Sequence, residues 1–420
     1  MTTLTKPEML TGFDEGARRT GLYGALNLIG AFALSCVLWY VFLHPNGLLK
    51  LYTPMYGFSL VVVLVASVVL LAKVADGFPF SPTVSPQTHR IVRGLGMTAA
   101  AVILMLVIVY GFFWHFVGRF GITYFSPHAI IAAGGIGAEF FNARENASTA
   151  IIYLFAAFLW IALLWTTGLN RWPWNNADRG GLALARLATI GLLSTLAYVI
   201  LFHPHVSHLF YPAQTMAGVQ PWWQGFAKTS SAYFHLGWML CMILWIVVGD
   251  ILWEGWPWRL ADKTGDGNPL RGILTLIVTA ALGGATFMLM QRGMDAVWFE
   301  AFEGGQSTEA PYFRYLHAGE MAGFGILAAF IVRTYFGGML ASAPLAVRIA
   351  ARTAAAAVGA VLLYLFYYSN LSTLLLGKVP GVGQPEDTPL VWTLLFLAIV
   401  MIQGDFFRCW PLPPCPEPDR

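Results

Sequence analysis

Long unbroken apolar runs alternate with short polar stretches along this chain. GLYGALNLIGAFALSCVLWYVFL (21–43) and AIIYLFAAFLWIALLWTTGL (150–169) contain no charged residue at all. Each reaches the roughly 20 residues that an α-helix needs to cross about 30 Å of hydrocarbon. Such runs recur with centres near residues 33, 65, 105, 159, 193, 242, 281, 326, 357 and 396, so the pattern predicts about ten transmembrane helices. A transmembrane β-barrel would instead show segments of about ten residues with alternating polarity, and the sequence has none. The expected fold class is an all-α polytopic membrane protein.

The ends of the runs repeat. Even-numbered spans lead into DGFPF (76–80), NRWPW (170–174), EGWPW (254–258) and RCWPL (408–412), an aromatic residue followed by proline each time. The eighth span lacks the proline and ends at RTYFGG (333–338). Proline stops a helix by removing a donor and crowding the preceding turn, and Trp favours the headgroup layer. Odd-numbered spans end in YVFLHP (40–45), YGFFWHF (110–116) and YVILFHP (198–204), and the ninth gives YLFYYSN (364–370) with Ser369 at the histidine position. The repeating unit is thus a helical hairpin: a span, an outer connection, and a second span ending in Trp-Pro.

Five copies fill the chain, at 21–94, 95–182, 183–271, 272–345 and 346–412, between a tail at 1–20 and a tail at 413–420. Each unit starts and ends on one side, so the repeats are expected to be parallel, related by rotation about the membrane normal. Many transporters instead use inverted repeats. The outer connections are longer than usual loops, and segments such as PHAIIAAGGIGAEFFNA (127–143) are expected to form short surface helices.

Composition agrees with this reading. The 420 residues are 57% hydrophobic and 11% charged, whereas soluble globular proteins carry about 25% charged residues. The net charge of +3 implies no nucleic-acid partner, because the basic residues are distributed by topology. If both tails and the Trp-Pro ends share one side, 17 of the 24 Lys and Arg lie there. By the positive-inside rule both termini are then cytoplasmic, and the expected location is a bacterial inner membrane. Residues 1–20 are polar and the first apolar run is too long for a cleavable signal. Cys36 and Cys241 fall within spans, and Cys409 and Cys415 fall on the reducing side. Asn146-Ala147-Ser148 matches the glycosylation pattern, a short motif that often arises by chance.

Chemistry concentrates at the outer ends. His203, His205 and His208 cluster after the fifth span, and His44 and His115 end the first and third. His235 and His317 open the sixth and eighth spans in matching contexts, HLGWM (235–239) and HAGEM (317–321), 82 residues apart. On a helix, His and Met four apart share a face, and the glycine between them allows close approach. Glu320 stands in the second motif, and a carboxylate at the centre of a span costs roughly 2.5–3.5 kcal/mol on insertion scales, so it needs a polar interior or a partner such as His317 or Arg314. Asp250, Glu254 and Asp405, near the opposite ends, read as structural.

Three functions are compatible with this. In the first, a redox or metal-dependent membrane subunit has a site in the outer leaflet and acts on a quinol or another apolar molecule. His203, His205, His208, His235 and His317 would be metal ligands, and His235, Met239 and Met321 would hold a cofactor. Imidazole with thioether suits copper or haem, and Glu320 with His317 would carry the acid–base chemistry. In the second, a proton-coupled secondary transporter uses Glu320 and His317. In the third, a structural subunit binds other membrane subunits through the outer connections, of which the fourth is acidic (Asp295, Glu300, Glu303 and Glu309).

Overall fold

The computed structural model describes residues 6–44, 46–53, 55–77, 87–120, 125–134, 139–174, 179–202, 230–262, 264–297, 319–340, 342–377 and 389–412. These residues contain helices and no β-strand. Among them nine helices are long and apolar enough to cross a bilayer, and a tenth apolar helix, Leu390–Phe406, is shorter. The spanning elements are α1 (Lys6–Leu38), α2 (Tyr56–Val69), α3 (Gln87–Leu106), α5 (Phe140–Leu163), α6 (Arg179–Leu201), α7 (Ser230–Val247), α8 (Pro269–Val297), α9 (Ala322–Ile331), α10 (Leu345–Tyr367) and α12 (Leu390–Met401). Two short helices, α4 (Pro127–Ala133) and α11 (Asn370–Leu376), lie in the outer connections.

The spans sort into two shells. α2 packs on α5, α5 on α7, α7 on α9, α9 on α12, and α12 back on α2, which closes a ring of five inner helices. The outer shell is α1, α3, α6, α8 and α10. In their most apolar stretches α2, α5, α7 and α9 have 78%, 56%, 67% and 56% of residues buried, against 28%, 17%, 28%, 22% and 6% for the outer five. Residues 390–401 of α12 are almost all buried as well. Each outer helix turns large apolar side chains outward, among them Ile29, Ile103, Leu192, Leu289 and Leu362. Water would not tolerate so much exposed hydrocarbon, so this surface faces lipid.

The packing pairs differ from the hairpins read in the sequence. α3 lies principally on α2, α6 on α5, α8 on α7 and α10 on α9, so each inner helix takes the outer helix that follows it. α1 completes the set by packing on α12, at the far end of the chain. Each outer helix also touches a second inner helix at its Trp-Pro end: α3 the end of α12, α6 that of α2, α8 that of α5, α10 that of α7, and α1 that of α9.

The inner helices end alike. Each passes into a π-helical turn: Leu70–Val74, Leu164–Gly168, Val248–Leu252, Val332–Phe336 and Ile402–Phe406. In four of them the chain then bends sharply. Asp76 and Gly77, Asn170 and Arg171, Glu254 and Gly255, and Arg408 and Cys409 are successive pairs with positive φ. The bend returns N–H groups to carbonyls that a helix C-terminus would otherwise leave bare. Gly77 donates to the Leu71 carbonyl at 2.8 Å, Arg171 to Trp165 at 3.1 Å, Gly255 to Gly249 at 2.8 Å, and Cys409 to Gln403 at 2.8 Å. Trp172, Trp256 and Trp410 follow, each joined to its proline by a cis peptide bond and each exposed at the rim. The fifth turn, in α9, keeps right-handed backbone at Gly337.

Arginines from the outer helices lock these ends. Arg186, buried on α6, donates to the Val74 carbonyl (3.1 Å), to Asp76 Oδ2 (2.6 Å) and twice to the Trp174 carbonyl (3.3 and 3.0 Å). Arg271 on α8 donates to Asp262 and to the Thr167 carbonyl, both at 3.0 Å. Arg348 and Arg352 on α10 share Glu254, with contacts of 2.7 to 2.8 Å. Cations at helix C-termini are favourable because the macrodipole leaves partial negative charge there.

Several indoles bridge helices inside the protein. Trp39 donates to the Leu376 carbonyl at 3.0 Å, Trp245 to Thr286 at 2.8 Å and Trp253 to Thr353 at 2.9 Å. Asn146 and Ser148 are buried within α5, so the glycosylation triplet is closed to an enzyme.

Candidate functional site

Polar side chains gather at both ends of the inner ring. At the histidine end the two matching motifs meet through their glycines. A Cβ placed on Gly319 would stand 2.1 Å from the Gly237 Cα, so the backbones touch and only hydrogen fits between them. Glu320, in the helical turn before α9, is 1% exposed. Met239 is fully buried and Met321 is half-buried at the N-cap of α9.

His235 stands edge-on to Phe202, with ring centres 6.4 Å apart, and its Nδ1 lies 3.2 Å from the Leu201 carbonyl. A carbonyl only accepts, so Nδ1 donates this bond. His44 accepts at Nδ1 from the Asn46 N–H (3.0 Å), and the Nε2 edge of its ring points at Gly377, whose φ of +82° and lack of a side chain are both required there. His115 contacts the Arg119 guanidinium one turn further along. These three imidazoles therefore have separate local settings. Among the described residues no three His, Cys, Asp or Glu side chains group closely enough to hold a metal ion. His203, His205, His208 and His317 lie outside the described residues, so His235 is the one proposed metal ligand with a described place.

A neighbouring network escaped the sequence reading. Glu145 on α5 accepts from Thr53 Oγ1 at 2.6 Å and from the Met55 N–H at 2.8 Å, holding the start of α2. The Arg144 guanidinium lies 4.6 Å over the Tyr56 ring, and the Tyr56 hydroxyl hydrogen-bonds that of Tyr110. No motif spacing marks it, because its members come from three different spans.

The Trp-Pro end carries the denser charge. Lys73, Asp250, Arg333 and Asp405 come from the π-helical turns of four of the five inner helices. Asp405, Asp250 and Arg333 all lie within Coulombic reach of the Lys73 ammonium, Asp405 acting most strongly. Asp250 is exposed and the other three are half-buried. In the middle turns of all five inner helices Val63, Ala157, Ile246, Ala329 and Val400 are fully buried. A charge cluster of two cations and two anions therefore follows a close-packed apolar middle. None of the four charges forms an ion pair among the described residues. Behind it, Tyr335 donates to Gln403 Oε1 at 2.6 Å, and Gln403 Nε2 donates to Asn27 Oδ1 at 2.8 Å, tying α9, α12 and α1 together.

The sequence reading took Asp250 and Asp405 as structural, and Lys73 and Arg333 entered it only within the count of basic residues. Comparison of the chain with protein families, with curated proteins and with solved structures yields no match to any of them.

Proposed function

We propose that this protein is a secondary transporter of a small zwitterionic solute. On this reading it consists of five tandem hairpin repeats about an axis normal to a bacterial inner membrane, with both termini cytoplasmic. The supporting observation is the charge cluster at the Trp-Pro end, where Lys73, Arg333, Asp250 and Asp405 gather without pairing among themselves, beyond a buried apolar middle of the ring. A solute bearing both an ammonium and a carboxylate would satisfy charges of both signs, whereas a simple ion would meet as much repulsion as attraction. Intramembrane ionisable residues mark solute and proton pathways, and Glu320 at the opposite end is the group we assign to proton coupling.

Uptake of radiolabelled amino acids and betaines into proteoliposomes tests this. Losing one hydrogen-bonded charge costs about 1.5–3 kcal/mol, so Asp405→Asn and Lys73→Met should each lower uptake by roughly tenfold to a hundredfold. Glu320→Gln should abolish its dependence on a pH gradient. Wild-type protein that neither binds nor moves any member of the panel would end the proposal.

A second reading rests on the contact between Gly237 and Gly319, which brings the two His-x-Gly-x-Met segments together. It assigns copper or haem to His235, Met239 and Met321, with His203, His205, His208 and His317 completing the set and a quinol as substrate. Elemental analysis and an absorption spectrum of the purified protein separate the two readings, since a colourless, metal-free protein would exclude this one.

The orientation has its own test. Charge distribution favours a cytoplasmic Trp-Pro face, while Cys409 is disulfide-bonded, a state that the reducing cytosol disfavours. Labelling of introduced surface cysteines from either side of the membrane decides between them.

A further inference from the structure

Four junctions between an inner-helix end and an outer helix can be compared directly, and one differs in charge. At three of them an acid meets the arginine of the outer helix: Asp76 with Arg186, Asp262 with Arg271, and Glu254 with Arg348 and Arg352. At the fourth, α3 packs on the end of α12. Its register matches that of α8 on α5. Gly94 fits under the Phe407 ring as Gly272 fits under Leu169, a Cβ on either glycine coming within 2.3 Å of that side chain.

The residue before each glycine is an arginine, Arg93 or Arg271. Arg271 has its aspartate. Among the described residues Arg93 has no ion pair, and its Nε is buried without a hydrogen-bond partner. The left-handed position that holds Asp76 or Glu254 at other junctions is Arg408 here, a second cation acting on Arg93. Arg90, three residues before Arg93, shares its side of the helix. Asp405 attracts Arg93 more weakly and lies beyond ion-pair distance.

We propose that the junction of α3 with α12 is an anion site, in which a phosphate group takes the place that Asp262 has beside Arg271 and is held by Arg93 with Arg408 beside it. Guanidinium groups suit phosphate because their donors form a planar fork. A basic cleft between helices at the rim of a membrane protein is also where phospholipid headgroups bind. The shared chemistry is a phosphate oxyanion, and its source is either an anionic lipid or a soluble phosphate.

Native mass spectrometry of the full chain in phosphatidylglycerol or phosphatidylcholine tests the lipid source, and thermal shift with inorganic phosphate tests the soluble one. Retention of phosphatidylglycerol over phosphatidylcholine should fall about fivefold for each arginine removed, in Arg93→Gln and in Arg408→Asp but not in Arg119→Gln at the opposite end. Arg408→Asp places an acid where Asp76 and Glu254 stand at two other junctions, and as a second variant it keeps the test valid if Arg93→Gln misfolds. Stabilisation by inorganic phosphate that Arg93→Gln removes, without lipid retention, assigns the site to a soluble anion. No preference for phosphatidylglycerol together with no response to phosphate overturns the proposal, as does an equal preference in all variants.

Discussion

Asp76 receives two arginines, and they differ mainly in burial. Arg171 reaches Oδ1 at 2.8 Å from a side chain 34% exposed, while Arg186 reaches Oδ2 at 2.6 Å from one 3% exposed. Replacing Arg171 with Gln removes a solvated pair worth about 0–1 kcal/mol. Replacing Arg186 with Gln strips donors from the Val74 and Trp174 carbonyls, which lie at the end of α2 and in the turn after α5. Each buried acceptor left bare costs about 1–3 kcal/mol. Asp76 itself is 43% exposed, so it rehydrates and keeps Arg171. Arg186→Gln should therefore destabilise by about 2–6 kcal/mol, the cost of two bared carbonyls. Arg186→Lys should recover only part of this, since a point charge cannot serve carbonyls and carboxylate at once. Reversible unfolding in mixed detergent micelles, followed by tryptophan fluorescence, measures all three. A difference below about 1 kcal/mol between Arg171→Gln and Arg186→Gln would show that burial does not set the strength of these locks.

Two further outcomes are expected from other contacts. Gly319→Ala should force α7 and the start of α9 apart and destabilise by about 1–3 kcal/mol, whereas Gly191→Ala, with no atom within 4 Å of the new methyl, should be neutral or slightly stabilising in the same titration. The hydrogen bonds from Arg348 hold the Glu254 carboxyl below its usual range. Its contribution is therefore complete above the unfolded carboxylate value of about 4.3 and is lost as pH falls through the lowered native value. Stability measured from pH 6 to pH 3 should drop at the acid end in wild type, and drop less in Glu254→Gln.

The spans were legible because length and polarity alone define them, and the Trp-Pro ends because proline and glycine act locally. Which helices lie inside was not. In a soluble protein the buried side is the apolar side, but both lipid and the interior of a bundle are apolar. FSLVVVLVASVV on inner α2 and AAAVILMLVIV on outer α3 therefore read alike. The same limit applies to the histidines: sequence sets their depth along a span, but not the direction each ring takes around it. His44 points to Gly377 and His235 to Leu201, partners more than 30 residues away in sequence. The charge cluster was hidden for another reason. Lys73 and Arg333 satisfy the positive-inside count equally well whether they face the ring or the headgroups.

The ring closes by setting the last helix against the first inner one, and α1 docks on that same last helix. The barrel thus lacks one stave until α12 leaves the ribosome, and α1, made well before it, waits for its seat while the helices between them are synthesised. A chain cut short before residue 390 would leave α1 and α2 with bare flanks in the bilayer. Closure of this architecture consequently depends on α12, and premature termination should yield a species that the membrane's proteases recognise.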